Sequence, residues 1–381
     1  MDFALTREQE MLRETVRAFA EEVLKPRAAA FDRSREFPFD NYRRSAEMGL
    51  CGMMVPEAYG GAGFDGVSYV IAIEEVSRAC ASTGVILSVN NSLFCAPIQQ
   101  HGTEAQKRNY LVPHARGERI GAYCLTEPQA GSDAGALRTL AKREGDRYLL
   151  TGSKVFVTNG IAAHTFIVYA TLDPKLRHKG ICAFIVERGF PGLRLGKPEH
   201  KMGITCSGSV EIVLDGCEVP AENLIGKEGD GFKIAMATLD GGRIGIAAQA
   251  IGIASAALEE SLSYSRSREA FGRPIADFQA IQWKLADMAT EIDAARLLAY
   301  RAAWARDHQE RCSLETSMAK LFASEACMRA AKEGVQIHGG YGYINEYTVE
   351  RLFRDAKITE IYEGTSEVQR LVISKEILRE G

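Results

Sequence analysis

The first third of the chain spaces its apolar residues as amphipathic helices do. After Thr6, a residue type that caps helices, the apolar positions recur at intervals of four, three and four: Leu12, Val16, Phe19 and Val23. This spacing places them on one helical face. We predict that this helix ends at Pro26, because proline lacks the N–H that a helix interior needs. The stretches 66–80 and 103–111 continue the helical pattern.

From about residue 120 to 222 the pattern changes to short β-branched and aromatic runs separated by Gly, Asp, Asn and Pro. The runs are GAYCLTE, RYLLTGSKVFVTNG, HTFIVYATL, GICAFIVER and SVEIVLDGCEVP. Their length and punctuation are typical of strands. Because no helical pattern intervenes, they predict a small antiparallel sheet or barrel.

Helical periodicity returns after GKEGDGF, in longer segments: 233–266, 278–307, 313–336 and 366–379. Four glycines lie in the first of these segments, where each costs about 1 kcal/mol relative to alanine: Gly241, Gly242, Gly245 and Gly252. Close helix packing, access for a ligand, or a later helix start would each account for them. The order predicts a helical domain (1–120), a middle β domain (121–230) and a C-terminal helical bundle (231–381).

Composition restricts the function classes. The 381 residues are enough for two or three domains, and a net charge of −4 gives no general attraction to nucleic acid or anionic membranes. The apolar run 244–258 is too short to span a bilayer. The start of the chain has no secretory pattern, so we expect a cytoplasmic protein or, if processed, one of the mitochondrial matrix. The nine cysteines and seven histidines show no metal-ligand or disulfide spacing, so we expect no metal site and mostly buried thiols.

Two segments of the β region carry candidate chemistry. YCLTEPQAGSDAG (123–135) runs from a strand into a Gly/Ser-rich loop, which suits an anion or the edge of a polar ring. Loop composition alone favours a plain surface turn. In KVFVTNG (154–160), Phe156 can stack on a planar ligand and Thr158 can bond its edge. A strand aromatic is more commonly sheet core, and that alternative stays open.

Three segments of the helical region are also candidates. SRSREAFGRPIADFQ (265–279) contains several arginines, which would bind a pyrophosphate or form a solvent-exposed basic corner. QIHGGYGY (336–343) contains paired glycines, which most simply indicate the end of a helix. In IYEGTSE (361–367), Glu363 is a solvated loop residue or a base at the edge of a pocket. No GxGxxG, GxxxxGK[ST] or GxSxG element is present.

In this order along the chain, these segments resemble the acyl-CoA dehydrogenase family over essentially the full length. LDGGRIGIAAQAIGIA (239–254) and VNNSL (89–93) look most like its short-chain, butyryl-CoA branch. The resemblance implies a helical domain, a middle β domain and a C-terminal four-helix bundle. It also implies bound FAD and a homotetramer built as a dimer of dimers. Phe156 stands where many members have tryptophan, a change that keeps an aromatic face.

The resemblance implies a role for each matching residue. The flavin would be lined by Tyr123, Leu125, Thr126, Ser132, Phe156, Val157 and Thr158. The FAD of a neighbouring subunit would be reached from Arg268, Phe278, Gln279, Gln336, Gly339 and Gly340. The adenosine half would contact Thr365 and Glu367. The acyl-CoA would be held by Ser132, Asp240, Arg243, Gln249, Tyr362 and Gly364.

Glu363 matches the family's catalytic base. It would remove the substrate α-proton while the β-hydrogen leaves as hydride to flavin N5, with its own backbone N–H polarising the thioester carbonyl. Ser366 and Gln369 form a capping-box pattern that would fix the corner, and Gly364 gives it room to turn. One branch of the family carries its base near position 242, and Gly242 excludes that arrangement.

The implied activity is oxidation of a short-chain acyl-CoA to trans-2-enoyl-CoA in fatty acid β-oxidation, with an electron-transferring flavoprotein as acceptor. An acyl-CoA oxidase, an enoyl-CoA-reducing relative and a non-catalytic acyl-CoA-binding flavoprotein are the alternatives; Glu363 argues against a flavin monooxygenase. For the acyl group, Gln249 is either a plug at the floor of the pocket or a satisfied core amide. Butyryl, branched and cyclic chains all remain open.

Overall fold

The structure, a computed structural model, describes residues 4–309 and 311–379. Its N-terminal part is helical: α1 (Arg7–Phe19), α2 (Lys25–Ser34), α3 (Phe39–Glu47), α4 (Gly66–Ala79), α5 (Ala81–Ser88), α6 (Ala96–His101), α7 (Glu104–Gln106) and α8 (Val112–Ala115). As predicted, Thr6 caps α1: its side chain accepts from Gln9 N and the Gln9 side chain accepts from Thr6 N. The helix predicted at 66–80 is confirmed as α4.

The prediction that the first helix ends at Pro26 is wrong. A π-helical turn, Ala20–Leu24, links α1 to α2, and the chain stays helical until Arg35 takes a left-handed conformation with φ 61°. Pro26 lies in the first turn of α2. Proline is tolerated in the first turn of a helix, and here the π-helical turn interrupts the α-helical hydrogen-bond pattern just before it.

The sequence pattern missed a helical stretch at Ala81–His101, in which a π-helical segment, Val89–Cys95, joins α5 to α6. The stretch is buried on nearly all sides. A helix covered all round has no polar face and therefore no amphipathic period to detect.

The middle part forms one sheet of eight strands: β1 (Gly121–Cys124), β2 (Leu140–Glu144), β3 (Arg147–Val157), β4 (Thr165–Thr171), β5 (Ile181–Glu187), β6 (Leu193–Pro198), β7 (Val210–Pro220) and β8 (Leu224–Ile225). The order is β6-β7-β3-β2-β4-β5-β8, with β1 beside β4. Most pairs are antiparallel as predicted, but β4 pairs in parallel with β1 and β2. The β2–β3 excursion separates β1 from β4 in the chain, which gives the long crossover that a parallel pair needs.

The C-terminal helices confirm the long periodic segments: α9 (Gly231–Ser267), α10 (Gln279–His308), α11 (Ser313–His338) and α13 (Ser366–Ile377). A small hairpin, β9 (Glu269–Ala270) and β10 (Arg273–Pro274), follows α9, and a short α12 (Thr348–Lys357) precedes the last helix. The chain is thus mainly helical with a central β domain. We propose the domain limits 1–120, 121–230 and 231–381, which fall between α8 and β1 and between β8 and α9.

Close packing explains glycines in α9. A Cβ on Gly245 would lie 2.2 Å from Ser88 Oγ, and one on Gly252 would lie 2.4 Å from the Glu74 carbonyl oxygen. The helix starts at Gly231, so a later start is excluded as the explanation. These contacts let α9 pass directly against α4 and α5.

Within the part of the chain that the structure describes, two helical stretches are long and apolar enough to cross a membrane by length and composition, Ala81–His101 and Gly231–Ser267. Protein covers 100% and 89% of their most apolar windows, which is the behaviour of core helices. All nine cysteines are buried thiols, as expected for most of them.

Candidate active site

A cavity of about 590 Å³ lies where the sheet meets α9 and the corner before α13. It brings together many of the residues singled out from the sequence: Tyr123, Leu125, Thr126, Ser132, Phe156, Thr158, Arg243, Tyr362, Glu363, Gly364 and Thr365. Apolar side chains complete the wall, including Val89 and Leu93 from the buried helical stretch. The sequence singled out the segment 89–93 for its resemblance to the short-chain branch but gave these two side chains no role, because the stretch has no amphipathic period.

Phe156 faces outwards from the sheet. The register between β3 and β7 shifts between Lys154 and Val157, and Phe156 adopts φ 59°. Its side chain is 68% exposed, so the alternative that it is sheet core is wrong. Val157 is buried in the sheet core, so its side chain does not line the cavity; Val155 lines it instead.

A buried ion pair holds the loop that follows β1. Lys154 Nζ lies 2.7 Å from Glu127 Oε1 and also donates to the Leu125 carbonyl at 3.2 Å, and both charged side chains are almost fully buried. Glu127 also accepts from the backbone N–H groups of Arg138 (2.6 Å) and Thr139 (2.9 Å). The pair thus joins both ends of the Gly/Ser-rich loop to β3.

Burial and charge act in opposite directions on this pair. Burial lowers the pKa of Lys154, although the neighbouring Glu127 opposes that shift. Burial alone would raise the pKa of Glu127, but the Lys154 charge and the donated hydrogen bonds lower it. The loop is therefore more than a plain surface turn: its position depends on a charge pair inside the sheet.

Glu363 occupies a corner between a short turn, Ile358–Glu360, and α13. Its backbone is left-handed, with φ 52°, and Gly364 follows with φ 95°. The residue is half-buried because it lines the cavity, but its Oε2 atom is buried and accepts no hydrogen bond from any described residue. Burial raises the pKa of this carboxyl to about 8, against the lowering effect of Lys320 and Arg243. The solvated-loop alternative is wrong.

The corner is held differently from the predicted capping box. Thr365, and not Ser366, caps α13 by accepting from Val368 N. Gln369 instead donates to the carbonyls of Glu363 (3.1 Å) and Gly364 (2.9 Å). The Gln369 side chain therefore holds the corner from α13, next to the Thr365 cap.

Gly242 provides the space for the Glu363 carboxylate. A Cβ at position 242 would lie 1.9 Å from Glu363 Oε2, closer than any real contact. A side chain on this residue of α9 and a carboxylate at Glu363 therefore exclude each other in this arrangement.

Arg243 lines the cavity and Asp240 orients it. Arg243 Nη1 donates to Asp240 Oδ1 at 2.7 Å and to Ser317 Oγ at 3.2 Å, while its buried Nε has no partner among the described residues. Ser313 Oγ donates to the second Asp240 oxygen at 2.7 Å. Asp240 itself is not part of the cavity wall.

Gln249 lies behind the wall and does not line the cavity. Its side chain is fully buried, donates to the Ala81 carbonyl at 2.9 Å and accepts from the Tyr362 hydroxyl. It is thus a satisfied core amide, and any effect on a ligand must pass through Tyr362. Because Gln249 does not reach the cavity wall, its predicted role in holding the acyl-CoA stays a prediction that would act through Tyr362.

The remaining predicted cofactor residues lie elsewhere. Arg268, Gly339 and Gly340 line a separate groove of about 450 Å³, in which the Arg268 guanidinium lies 5.6 Å from the ring centroid of Tyr341. Other predicted residues line neither this groove nor the first cavity: Phe278, Gln279, Gln336 and Glu367. The described residues contain no cluster of three or more His, Cys, Asp or Glu that would hold a metal ion.

The first cavity fits a flat aromatic cofactor beside a substrate. Phe156 offers an exposed ring near the end of β3. The wall contains three buried polar atoms without partners in the described chain, Tyr123 OH, Glu363 Oε2 and Arg243 Nε. Buried polar atoms normally have partners, so three such atoms in one wall indicate a polar ligand.

Comparison with known proteins agrees with this geometry. The acyl-CoA dehydrogenase family models match three ranges: the N-terminal domain at 6–118, the middle domain at 122–217 and the C-terminal domain at 229–378. The short-chain specific acyl-CoA dehydrogenase of Clostridium acetobutylicum is 52% identical over 379 residues, covering 100% of both chains. The butyryl-CoA dehydrogenase structure from Megasphaera elsdenii has a TM-score of 0.97 at 47% identity, again covering 100% of both chains.

A chain solved in work on the electron transferring flavoprotein of Acidaminococcus fermentans has a TM-score of 0.98 at 50% identity and covers 100% of both chains.

Proposed function

Because the chain belongs to the acyl-CoA dehydrogenase family of FAD-dependent oxidoreductases, we propose that it oxidises a short-chain acyl-CoA to the trans-2-enoyl-CoA, with Glu363 as the base. The observation that carries this proposal is the Glu363 carboxylate. Its Oε2 atom is buried without a hydrogen-bond partner among the described residues, in the same cavity as the exposed Phe156 ring. FAD, when bound, supplies the acceptor for the β-hydride.

Glu363 has the properties that α-proton removal needs. A carboxyl whose pKa is raised to about 8 by burial is a stronger base, once ionised, than an exposed glutamate. Its Oε2 has no hydrogen bond to break before it receives the proton. The Glu363 backbone N–H donates to no other described residue, so it is available to the thioester carbonyl oxygen.

Phe156, Thr158 and the loop held by Glu127 and Lys154 would hold the flavin. Arg243 offers an unpartnered N–H toward the polar part of the substrate. Apolar side chains from Val89 and Leu93 would exclude water from the acyl group.

A short acyl chain is favoured by two features. The relatives described above are named short-chain specific and butyryl-CoA dehydrogenases. In this chain the Tyr362 ring lines the cavity, and its hydroxyl donates a hydrogen bond to Gln249, which in turn donates to the Ala81 carbonyl. These hydrogen bonds hold a bulky residue in the wall and would limit the depth of the acyl site.

We further propose an electron-transferring flavoprotein as acceptor and a homotetramer, a dimer of dimers, as the assembly. The similarity to a chain solved in work on such a flavoprotein supports the first. The groove at Arg268 shares no lining residue with the first cavity; it suits a second subunit's cofactor and supports the homotetramer. A bacterial relative supports a cytoplasmic location, with the mitochondrial matrix as the alternative.

The deciding experiment is anaerobic titration of the purified holoenzyme with a panel of straight, branched and cyclic acyl-CoAs while flavin absorbance is followed. Bleaching strongest with a C4 chain supports the proposal, and no bleaching with any acyl-CoA refutes it. Peroxide formation in air would identify an oxidase, and the absence of turnover with a dye acceptor would identify a non-catalytic binding protein.

Gln249→Gly is expected to move the chain-length optimum of kcat/KM from about C4 toward longer acyl chains. Without Gln249, Tyr362 loses its tether and can leave the wall, and each extra buried methylene then contributes up to ~0.8 kcal/mol, about fourfold. The measurement is kcat/KM over C4 to C12 acyl-CoAs.

Ala256→Gly is the matched control, because it adds a glycine to the same helix at a buried position. If a folded, flavin-loaded Gln249→Gly variant keeps the wild-type chain-length optimum, the role of Gln249 is purely structural.

Arg268→Ala is expected to weaken both FAD retention and oligomer assembly. If Arg268 reaches a neighbour's cofactor, losing that contact removes stabilisation that only the assembled state receives. Flavin content after gel filtration and mass from light scattering measure the two effects. Arg266→Ala, an exposed arginine in the same turn, should leave both near wild type. A fully FAD-loaded wild-type monomer would contradict the prediction.

A further inference from the structure

Lys320 is a buried cation with no counter-ion in contact. It lies on α11 with no exposed surface, and no described carboxylate comes within ion-pair distance of its Nζ. The Nζ donates one hydrogen bond, at 2.8 Å, to the carbonyl of Gly364. An isolated ammonium is costly to bury, whereas an apolar side chain of similar length would fill the same space without that cost. Stability therefore does not explain a lysine here.

The carbonyl that Lys320 holds belongs to the Glu363 corner. A glutamate with φ 52° is in a strained backbone region, and such residues persist only where the surroundings hold them. Two side chains bond the carbonyls of this corner: Lys320 from α11 and Gln369 from α13. Lys320 thereby connects the corner to a helix 44 residues away in the chain.

Lys320 is also the charge that acts most strongly on Glu363. It opposes the burial that raises the Glu363 pKa, more than Arg243 of α9 does. Burial conversely lowers the pKa of Lys320 to about 8, and among the carboxylates Glu363 counteracts this most, followed by Glu360 and Glu367. The charge of the lysine and the charge of the base thus each oppose the effect of burial on the pKa of the other group. The phenols of Tyr69, Tyr123 and Tyr362 also face Glu363 and remain neutral there.

We propose that Lys320 is a positioning residue for α-proton removal: it holds the Gly364 carbonyl so that the Glu363 corner keeps its left-handed backbone, and its charge favours the ionised base. The proposal rests on the role of Glu363 as base given above. The Lys320 side chain thus makes two contributions, a hydrogen bond and a positive charge, and different substitutions remove them.

Three holoenzyme variants test it. Lys320→Met removes both the hydrogen bond and the charge, Lys320→Gln keeps a donor without the charge, and Lys332→Met removes an exposed lysine of the same helix as a control. The readouts are amide hydrogen exchange over residues 361–369, kcat and KM separately, and the pH profile of kcat/KM.

In Lys320→Met we expect exchange at the corner to accelerate about tenfold and kcat to fall about 10²-fold with little change in KM. The acid limb of the pH profile should move upward by about one unit, because the ionised base loses a nearby positive charge. Lys320→Gln should shift the limb similarly but keep the exchange near wild type. Lys332→Met should change neither.

A folded Lys320→Met enzyme with wild-type exchange and an unmoved acid limb would overturn the proposal. If that variant does not fold, an unmoved limb in Lys320→Gln overturns the charge role by itself. Failure of the base assignment is distinguishable, because it would appear as a retained rate in Glu363→Gln, whereas exchange at the corner reports on Lys320 whichever group takes the proton.

Discussion

Glu363→Gln is expected to retain FAD and bind acyl-CoA yet lose most of the rate of flavin reduction, by about 10²–10⁴-fold, the usual contribution of a general base. The amide has nearly the same shape as the carboxyl, so the cavity keeps its form, but it cannot accept the α-proton. Anaerobic stopped-flow reduction by butyryl-CoA measures the rate, and the flavin spectrum before mixing measures cofactor content.

The wild-type pH profile adds a second signature of the same group. The base acts in its ionised form, so kcat/KM should rise as pH rises through about 8, the range to which burial raises the Glu363 pKa. The residual activity of Glu363→Gln should not show this rise of kcat/KM with pH. Bound substrate will move the corresponding limb of kcat, because it changes the surroundings of the carboxyl.

Glu346→Gln is the matched control, since Glu346 is exposed in the turn before α12 and lies outside the cavity. It should reduce its flavin at the wild-type rate. Near-normal flavin bleaching in Glu363→Gln would show that another group removes the proton, and it would refute the proposed mechanism.

Lys154→Met is expected to lower the free energy of unfolding by about 3–5 kcal/mol, because it leaves the Glu127 carboxylate buried without its counter-ion. The two backbone N–H groups that Glu127 accepts from remain, which favours the lower part of that range. The loop they anchor carries residues of the cavity wall, so FAD retention should fall with stability. Urea denaturation and the ratio of flavin to protein absorbance measure the two losses.

Two comparisons make this prediction specific. The double change Lys154→Met with Glu127→Gln removes both charges and should recover part of the lost stability. Lys142→Met, on the neighbouring strand, removes an exposed lysine and should cost little. A Lys154→Met protein as stable and as flavin-loaded as the wild type would show that the pair does not anchor the loop.

Sequence alone was sufficient for features that depend on near neighbours. The long helices α9, α10 and α11 followed from apolar spacing, and the Thr6 cap followed from residue type and position. The β region followed from strand-length runs between turn residues. The ordered motifs identified the family, which the comparisons confirm over the whole chain.

Only the tertiary structure decided what depends on residues far apart in the chain. Burial of Oε2 decided against the solvated-loop alternative for Glu363, and the shifted register of β3 turned Phe156 outwards. Lys154 and Lys320 gave no signal in the sequence, because their partners lie 27 and 44 residues away. The spacing of apolar residues along the chain indicates which face of a helix or strand is buried. Which buried charges pair, and which backbone corners are held in a strained conformation, depends on how the helices and strands pack together.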